Sequence, residues 1–346
     1  MKISNSDYYN ANFSHIYVEK KVANHKRTKR ILEKFPKSTI VMIDHYKDVF
    51  NRKKQSGFNQ SKAKSLILAY NENGNIYEGA PVCQSFGNEN FYYCSCMMNC
   101  IFDCEYCYLK GMYPTSNILV FVNLEDTFAQ LEKMLEQKEK GKSEQKSVYL
   151  CVSYDADLVA CESLFGLVKD WIDFTKTHEN LTIEIRTKSG RTDLWQVYES
   201  CDRVILAFTM SPEKISSEYE HFAAPLSKRI EAAKAAMENG FNVRLCFDPM
   251  IYCPGWEAEY DQMINDIFAK ISGTDLWDVS VGSFRISQDY LKKMRRDMPL
   301  SSIVNFPYDN VDGYYQYPEK IRVDMEKHLT QKLVKYIDSS KIFLWK

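Results

Sequence analysis

The chain has 346 residues, 45% of them hydrophobic, and a formal net charge of −1. That length suits one large α/β domain with appendages or two ordinary domains, and the apolar content excludes a disordered chain. Near-neutral charge excludes a strongly basic protein as a bulk property, though not a local basic face.

Met1 to Asn24 is polar and lacks an apolar signal core. Nowhere does an apolar run approach the roughly 20 residues a membrane span needs. A soluble cytoplasmic protein is expected. Eleven Cys in such a chain read as reduced thiols and metal ligands, not as a disulfide framework.

Residues 1–90 read as a mixed α/β region. Lys20–Lys37 sets Val22, Ile31, Leu32 and Phe35 among Lys and Arg, the pattern of a basic amphipathic helix. Ser38–Asp44 and Ser65–Tyr70 are short apolar runs bounded by polar residues and read as strands. Residues 91–300 then alternate. Strands are expected at Phe91–Cys96, Val148–Ser153, Leu181–Arg186, Arg203–Thr209, Asn242–Asp248 and Asp278–Phe284. Helical periods lie between them. Phe128, Leu131, Met134 and Leu135 share a face in Asp126–Lys138. Leu226, Ile230, Ala233 and Met237 do so in Pro225–Glu238, which Gly240 ends. Such alternation implies a parallel sheet with right-handed crossovers, here a partial (β/α)6 barrel with its active site at the C-terminal strand ends. Residues 301–346 differ. Tyr308–Pro318 places Asp312-Gly313 between aromatic residues, a hairpin signal, and a helix over Ile321–Ile337 closes the chain.

The strongest chemical signal is Cys100-Ile-Phe-Asp-Cys104-Glu-Tyr-Cys107, spaced C-x3-C-x2-C. Three thiolates on a cubane of four irons leave one iron open. That iron can chelate the amino and carboxylate groups of S-adenosylmethionine (SAM). A structural zinc site is the alternative, since Cys94 and Cys96 crowd nearby. Zinc wants four ligands, commonly two C-x2-C pairs, and only one such pair exists here. Cys96-x3-Cys100 repeats the first spacing, but only the Cys100 frame supplies the following x2-Cys and an aromatic after it.

This loop resembles that of radical SAM enzymes, and of spore photoproduct lyases in particular. Phe58-Asn-Gln-Ser-Lys62, Val122-Asn-Leu-Glu-Asp-Thr-Phe128, the Arg229-bearing Pro225–Gly240 segment, and Pro249-Met-Ile251 with Gly255-Trp256 are similar to family segments in the same order. The resemblance implies a radical SAM fold, a [4Fe–4S] cluster on Cys100, Cys104 and Cys107, and SAM. It implies a lyase that returns the spore photoproduct, 5-thyminyl-5,6-dihydrothymine, to two thymines in DNA through a 5′-deoxyadenosyl radical. The same scaffold acting on another substrate is the alternative. Tyr106 and Tyr108 match the family's relay tyrosines. Tyr108, Ser153, Lys188 and Thr209 match positions beside SAM. An electron donor such as flavodoxin or ferredoxin, a monomer and no membrane are further expectations.

Two departures stand out. The family's hydrogen donor lies in a segment like A-C-T-S-D, whereas this chain has Cys151-Val-Ser-Tyr-Asp-Ala-Asp157, two residues longer. Cys151 is one candidate donor, Ser153 falls at the usual donor's place, and Cys83, upstream of the cluster where the resemblance implies a donor in members lacking the usual Cys, is favoured slightly over Cys151. The hairpin also carries Tyr314 and Gln316 where the family has a Lys and an Arg. Backbone contacts to DNA would then fall to Lys20–Lys37, Arg52-Lys53-Lys54 and Lys62-Ala-Lys64.

Overall fold

The computed structural model describes residues 12–80, 83–140 and 147–345. Its strands, in chain order, are β1 (His15–Glu19), β2 (Thr39–Ile43), β3 (Leu66–Ala69), β4 (Ile76–Glu78), β5 (Phe91–Cys94), β6 (Met97–Met98), β7 (Ile118–Phe121) and β8 (Val148–Cys151). There follow β9 (Leu181–Thr187), β10 (Val204–Thr209), β11 (Asn242–Met250), β12 (Asp278–Ser283), β13 (Arg285–Ser287), β14 (Asp309–Val311), β15 (Tyr314–Gln316) and β16 (Ile342–Leu344).

Six of them, β5-β8-β9-β10-β11-β12, are parallel neighbours, the run expected of a partial (β/α)6 barrel. β4 extends this sheet antiparallel at one edge and β16 parallel at the other. Helices cover such sheets, so the strands are buried on both faces and read as continuous apolar runs. Every residue of β10 is buried. The Leu226–Glu238 helix packs beside β10 and β11, burying Leu226, Arg229, Ile230, Ala233 and Ala236 at helical spacing. Gly240, at φ +80°, follows its end as expected.

A second sheet has the order β2-β1-β3-β7-β6. It draws β6 and β7 from beyond residue 90. Period-2 alternation is clear in β3. Leu66 and Leu68 join the main core, while Ile67 and Ala69 join Phe50, Leu119 and Phe121 in a small cluster.

The basic helix is shorter than its periodicity suggests. Lys20–Val22 forms a separate 3-10 turn, and the α-helix runs only Lys26–Glu33. The His25 ring accepts a bond from the Arg27 N–H at 3.2 Å and caps that helix. Its cations hold the fold together. Arg27 pairs with Asp170 at 2.6 Å, Arg30 donates to the Phe165 carbonyl, and Lys34 donates to the Ser163 carbonyl. Those three side chains thus also bond within the protein. The expected DNA contact through Lys64 is corrected, because its ammonium donates inward to the Cys100 carbonyl at 3.0 Å.

The hairpin forms as read. Asp312 and Gly313 take φ of +50° and +84° between β14 and β15, the two-residue turn that matches strand twist. It is rooted by Tyr317, whose hydroxyl accepts from the Tyr252 N–H at 2.9 Å amid Phe284, Phe306 and Tyr308. The closing helix spans Glu319–Leu333.

Candidate active site

The Cys100–Cys107 loop follows β5 and β6, with Asp103 at φ +55° making its turn. Cys100, Cys104 and Cys107 line one cavity together with Lys64, Lys110 and Lys293. Asp103 pairs with Lys110 at 2.5 Å across the loop. Burial pushes the Cys104 thiol up to about 12 against the nearby Lys188 charge, and it raises Cys100 and Cys107 as well. Cys94 and Cys96 are buried elsewhere, with the Cys96 thiol donating to the Val152 carbonyl at 3.6 Å. The Cys100 frame is thus the one that shares a cavity.

Among the described residues no three His, Cys, Asp or Glu side chains converge tightly enough for a single metal ion. Three soft donors beside the partly buried cations Lys64, Lys110 and Lys293 fit the negative charge of a [4Fe–4S] cluster.

Lys188 lies one residue beyond β9. Its ammonium reaches the Cys104 sulfur at 3.8 Å, the Tyr106 hydroxyl at 2.5 Å and Glu220 at 2.9 Å. Burial works against the Lys188 charge, but Cys104, Glu220 and Tyr106 outweigh it and hold the ammonium. Glu220 also accepts from Tyr106, Arg229 and Ser211. Burial would raise its pKa, yet Arg229 and Lys188 hold it well below the usual carboxylate range. Thr209, at the end of β10, is buried and gives its carbonyl to Arg229 at 3.1 Å.

Tyr108 faces a second cavity of about 460 Å³, within the range of small-molecule sites. Cys83, Cys151, Ser153, Tyr154, Glu184, Arg186 and Arg285 line it too. Both candidate thiols and two expected SAM contacts, Tyr108 and Ser153, therefore meet in one place, as the C-terminal strand ends require. The Ser153 hydroxyl accepts from the Arg186 N–H at 2.6 Å. Tyr108 donates to the Tyr154 carbonyl at 2.7 Å. Pro81 and Val82, beside Cys83, lie outside the described residues. Thr209 and Lys188 do not line this cavity.

A family model described as spore photoproduct lyase matches residues 13–301. This chain belongs to the spore photoproduct lyase family. It is 21% identical over 263 residues to a spore photoproduct lyase of Geobacillus sp., covering 70% of this chain and 73% of that one. It is 23% identical over 254 residues to that of Bacillus subtilis, covering 69% and 70%. A solved spore photoproduct lyase double mutant with bound AdoMet and dinucleoside spore photoproduct matches with a TM-score of 0.80 at 18% identity, covering 97% of this chain and 99% of that one. Another, complexed with dinucleoside spore photoproduct, matches at 0.78 and 18%, covering 96% and 98%. At such identity the structural likeness carries the fold alone. As a family member the chain is a radical SAM lyase with a [4Fe–4S] cluster and SAM as cofactors.

Sequence reasoning missed Glu220, Tyr154, Asp155 and the carboxylates under the cavity. Asp155 accepts from Ser95 and from Tyr108. Glu184 meets Arg244, which also forks onto Asp278, and Arg186 bridges Glu184 to Asp248. No local motif marks these residues. An Arg amid the alanines of Pro225–Gly240 was the one visible hint, since a cation on an apolar helix face needs a buried carboxylate.

Proposed function

We propose that this chain repairs the spore photoproduct in DNA, with the lesion entering the cavity lined by Cys83, Cys151, Ser153 and Tyr108. The observation that carries this reading is that cavity, which gathers the expected thiols beside the three-cysteine loop. When bound, the cluster and SAM supply a carbon-centred radical able to take a hydrogen from the lesion. Everything else falls to side chains. Cys100, Cys104 and Cys107 would hold the cluster. Lys188 and Glu220 fix Tyr106 by hydrogen bonds against the loop, and Asp155 with the Tyr154 carbonyl fixes Tyr108. Ser153 and Tyr108 set the cavity wall toward SAM, and Lys188 and Thr209 are proposed as further SAM contacts from outside that wall.

Cys83 is the favoured hydrogen donor and Cys151 the second. Both line the cavity, but Cys83 is partly exposed whereas Cys151 is buried at the end of β8. A flavodoxin or ferredoxin as electron donor, a monomeric state and action in the cytoplasm complete the proposal. Among the described residues no helix is long and apolar enough to cross a membrane.

The test is thymine release from a dinucleotide spore photoproduct by the anaerobically reconstituted protein. Release dependent on SAM supports the reading. SAM cleavage with no thymine release from that dinucleotide or from irradiated spore DNA overturns it in favour of another substrate.

A further inference from the structure

The two-residue extension after Cys151 places a tyrosine where it touches a thiol from a distant segment. Tyr154 Oη lies 3.3 Å from Cys83 Sγ, 71 positions away in the chain. The Tyr154 ring stacks on Tyr93 at 4.4 Å between centroids, with 30° between planes. The Tyr108 ring stands 5.9 Å away on another side, and its hydroxyl donates to the Tyr154 backbone carbonyl at 2.7 Å. Tyr154 therefore sits between a thiol of the cavity lining and the tyrosine beside the cluster loop.

We propose that Tyr154 is a catalytic hydrogen-atom donor to Cys83. This rests on the reading of Cys83 as the donor to the lesion. Once Cys83 has given its hydrogen to the product radical, its sulfur holds an unpaired electron. Tyr154 then gives its phenolic hydrogen atom to that sulfur. The O–H bond breaks, an S–H bond forms, and the unpaired electron moves to the Tyr154 oxygen. Nothing else is consumed. Phenol O–H and thiol S–H bonds are close in strength, so the exchange runs without a steep barrier, and contact distance removes the cost of bringing the groups together. The Tyr93 stack fixes the ring, and Tyr108 is the next oxidisable ring.

Tyr154→Phe removes the oxygen and keeps the stacked ring. In the reconstituted enzyme with dinucleotide spore photoproduct, this variant should complete a first turnover and then stall. Protein recovered after the stall should show Cys83 that no longer reacts with iodoacetamide, read by peptide mass spectrometry, while parental protein keeps the thiol. SAM consumed per repaired lesion should rise several-fold. Cys83→Ala separates the two claims. If Cys83→Ala repairs cleanly at the parental rate, the donor reading fails and the relay with it. If Cys83→Ala is slow and forms by-products while Tyr154→Phe turns over repeatedly with its thiol intact, the relay alone is overturned.

Discussion

Replacing Arg229 with Met tests the buried ion pair beneath the cluster loop. Arg229 and Glu220 both have 0% side-chain exposure. The guanidinium donates to the Ala224 carbonyl at 2.7 Å, the Thr209 carbonyl at 3.1 Å, Ser216 at 3.1 Å and Glu220. Methionine fills most of the volume, so a cavity contributes little. What remains is a broken buried pair, which costs about 3–5 kcal/mol. The two carbonyls lose a donor, each an effect of about 1–3 kcal/mol if no water reaches it. Lys188 and Ser211 still hold Glu220, at 2.9 and 2.8 Å, and limit the damage. We expect a net loss of about 3–5 kcal/mol. Urea unfolding of the anaerobic protein, followed by tryptophan fluorescence, reads it as a lower midpoint with an unchanged slope. Arg229→Lys should fall between, because an ammonium keeps the charge but not the fork. A loss under about 1 kcal/mol for Arg229→Met would refute the reasoning, since that is the scale of a solvated pair.

Cys104→Ala should abolish cluster assembly, measured as bound iron and visible absorbance, whereas Cys94→Ala and Cys96→Ala should retain it; the reverse outcome at Cys96 and Cys107 would move the ligand frame. Gly111→Ala should destabilise the protein by about 1–3 kcal/mol, because an added Cβ would lie 2.6 Å from the Tyr290 Cα and 2.4 Å from its Cβ; a thermal scan showing no shift would mean the Gln288–Asp297 helix gives way freely. Asp261 accepts from Lys332 at 2.6 Å and His328 at 2.8 Å, and although burial opposes it, these partners hold its carboxyl below the ordinary 3.8. Its contribution is therefore full above that ordinary value and is lost as pH falls through the lower folded value. Asp261→Asn should cost at most about 1 kcal/mol at neutral pH, with the gap to parent closing below about pH 4; a pH-independent gap argues against the ion pairs. Affinity for lesion-bearing DNA should fall with salt at a log–log slope near −0.9 per phosphate contact, and a salt-independent affinity would point to base contacts alone.

Local features were legible without any structure. The three-cysteine spacing is a property of eight consecutive residues. The Asp312-Gly313 turn depends on two residues that tolerate positive φ. The parallel strands announce themselves because burial on both faces demands unbroken apolar runs, as in β10. β1 and β7 went unread, though β7 is an apolar run, because short strand signals become distinct only beside their partners.

Tertiary structure decided the rest, and the reason is pairing over distance. Glu220 acquires its role from Lys188 and Arg229, and Glu184 from Arg244, 60 positions on. A carboxylate with no local partner looks like any surface acid until folding buries it against a cation. The basic run near the N-terminus shows the converse. Its charge pattern suits a nucleic-acid face, yet Arg27, Arg30 and Lys34 find acceptors at 165–170 and nearby Ser163 within the protein. The order of residues by itself pointed to a thiol-ligated cluster on a parallel α/β scaffold. Only the fold could bring Cys83 to Tyr154, because no sequence rule relates two residues held together by the mouth of a sheet.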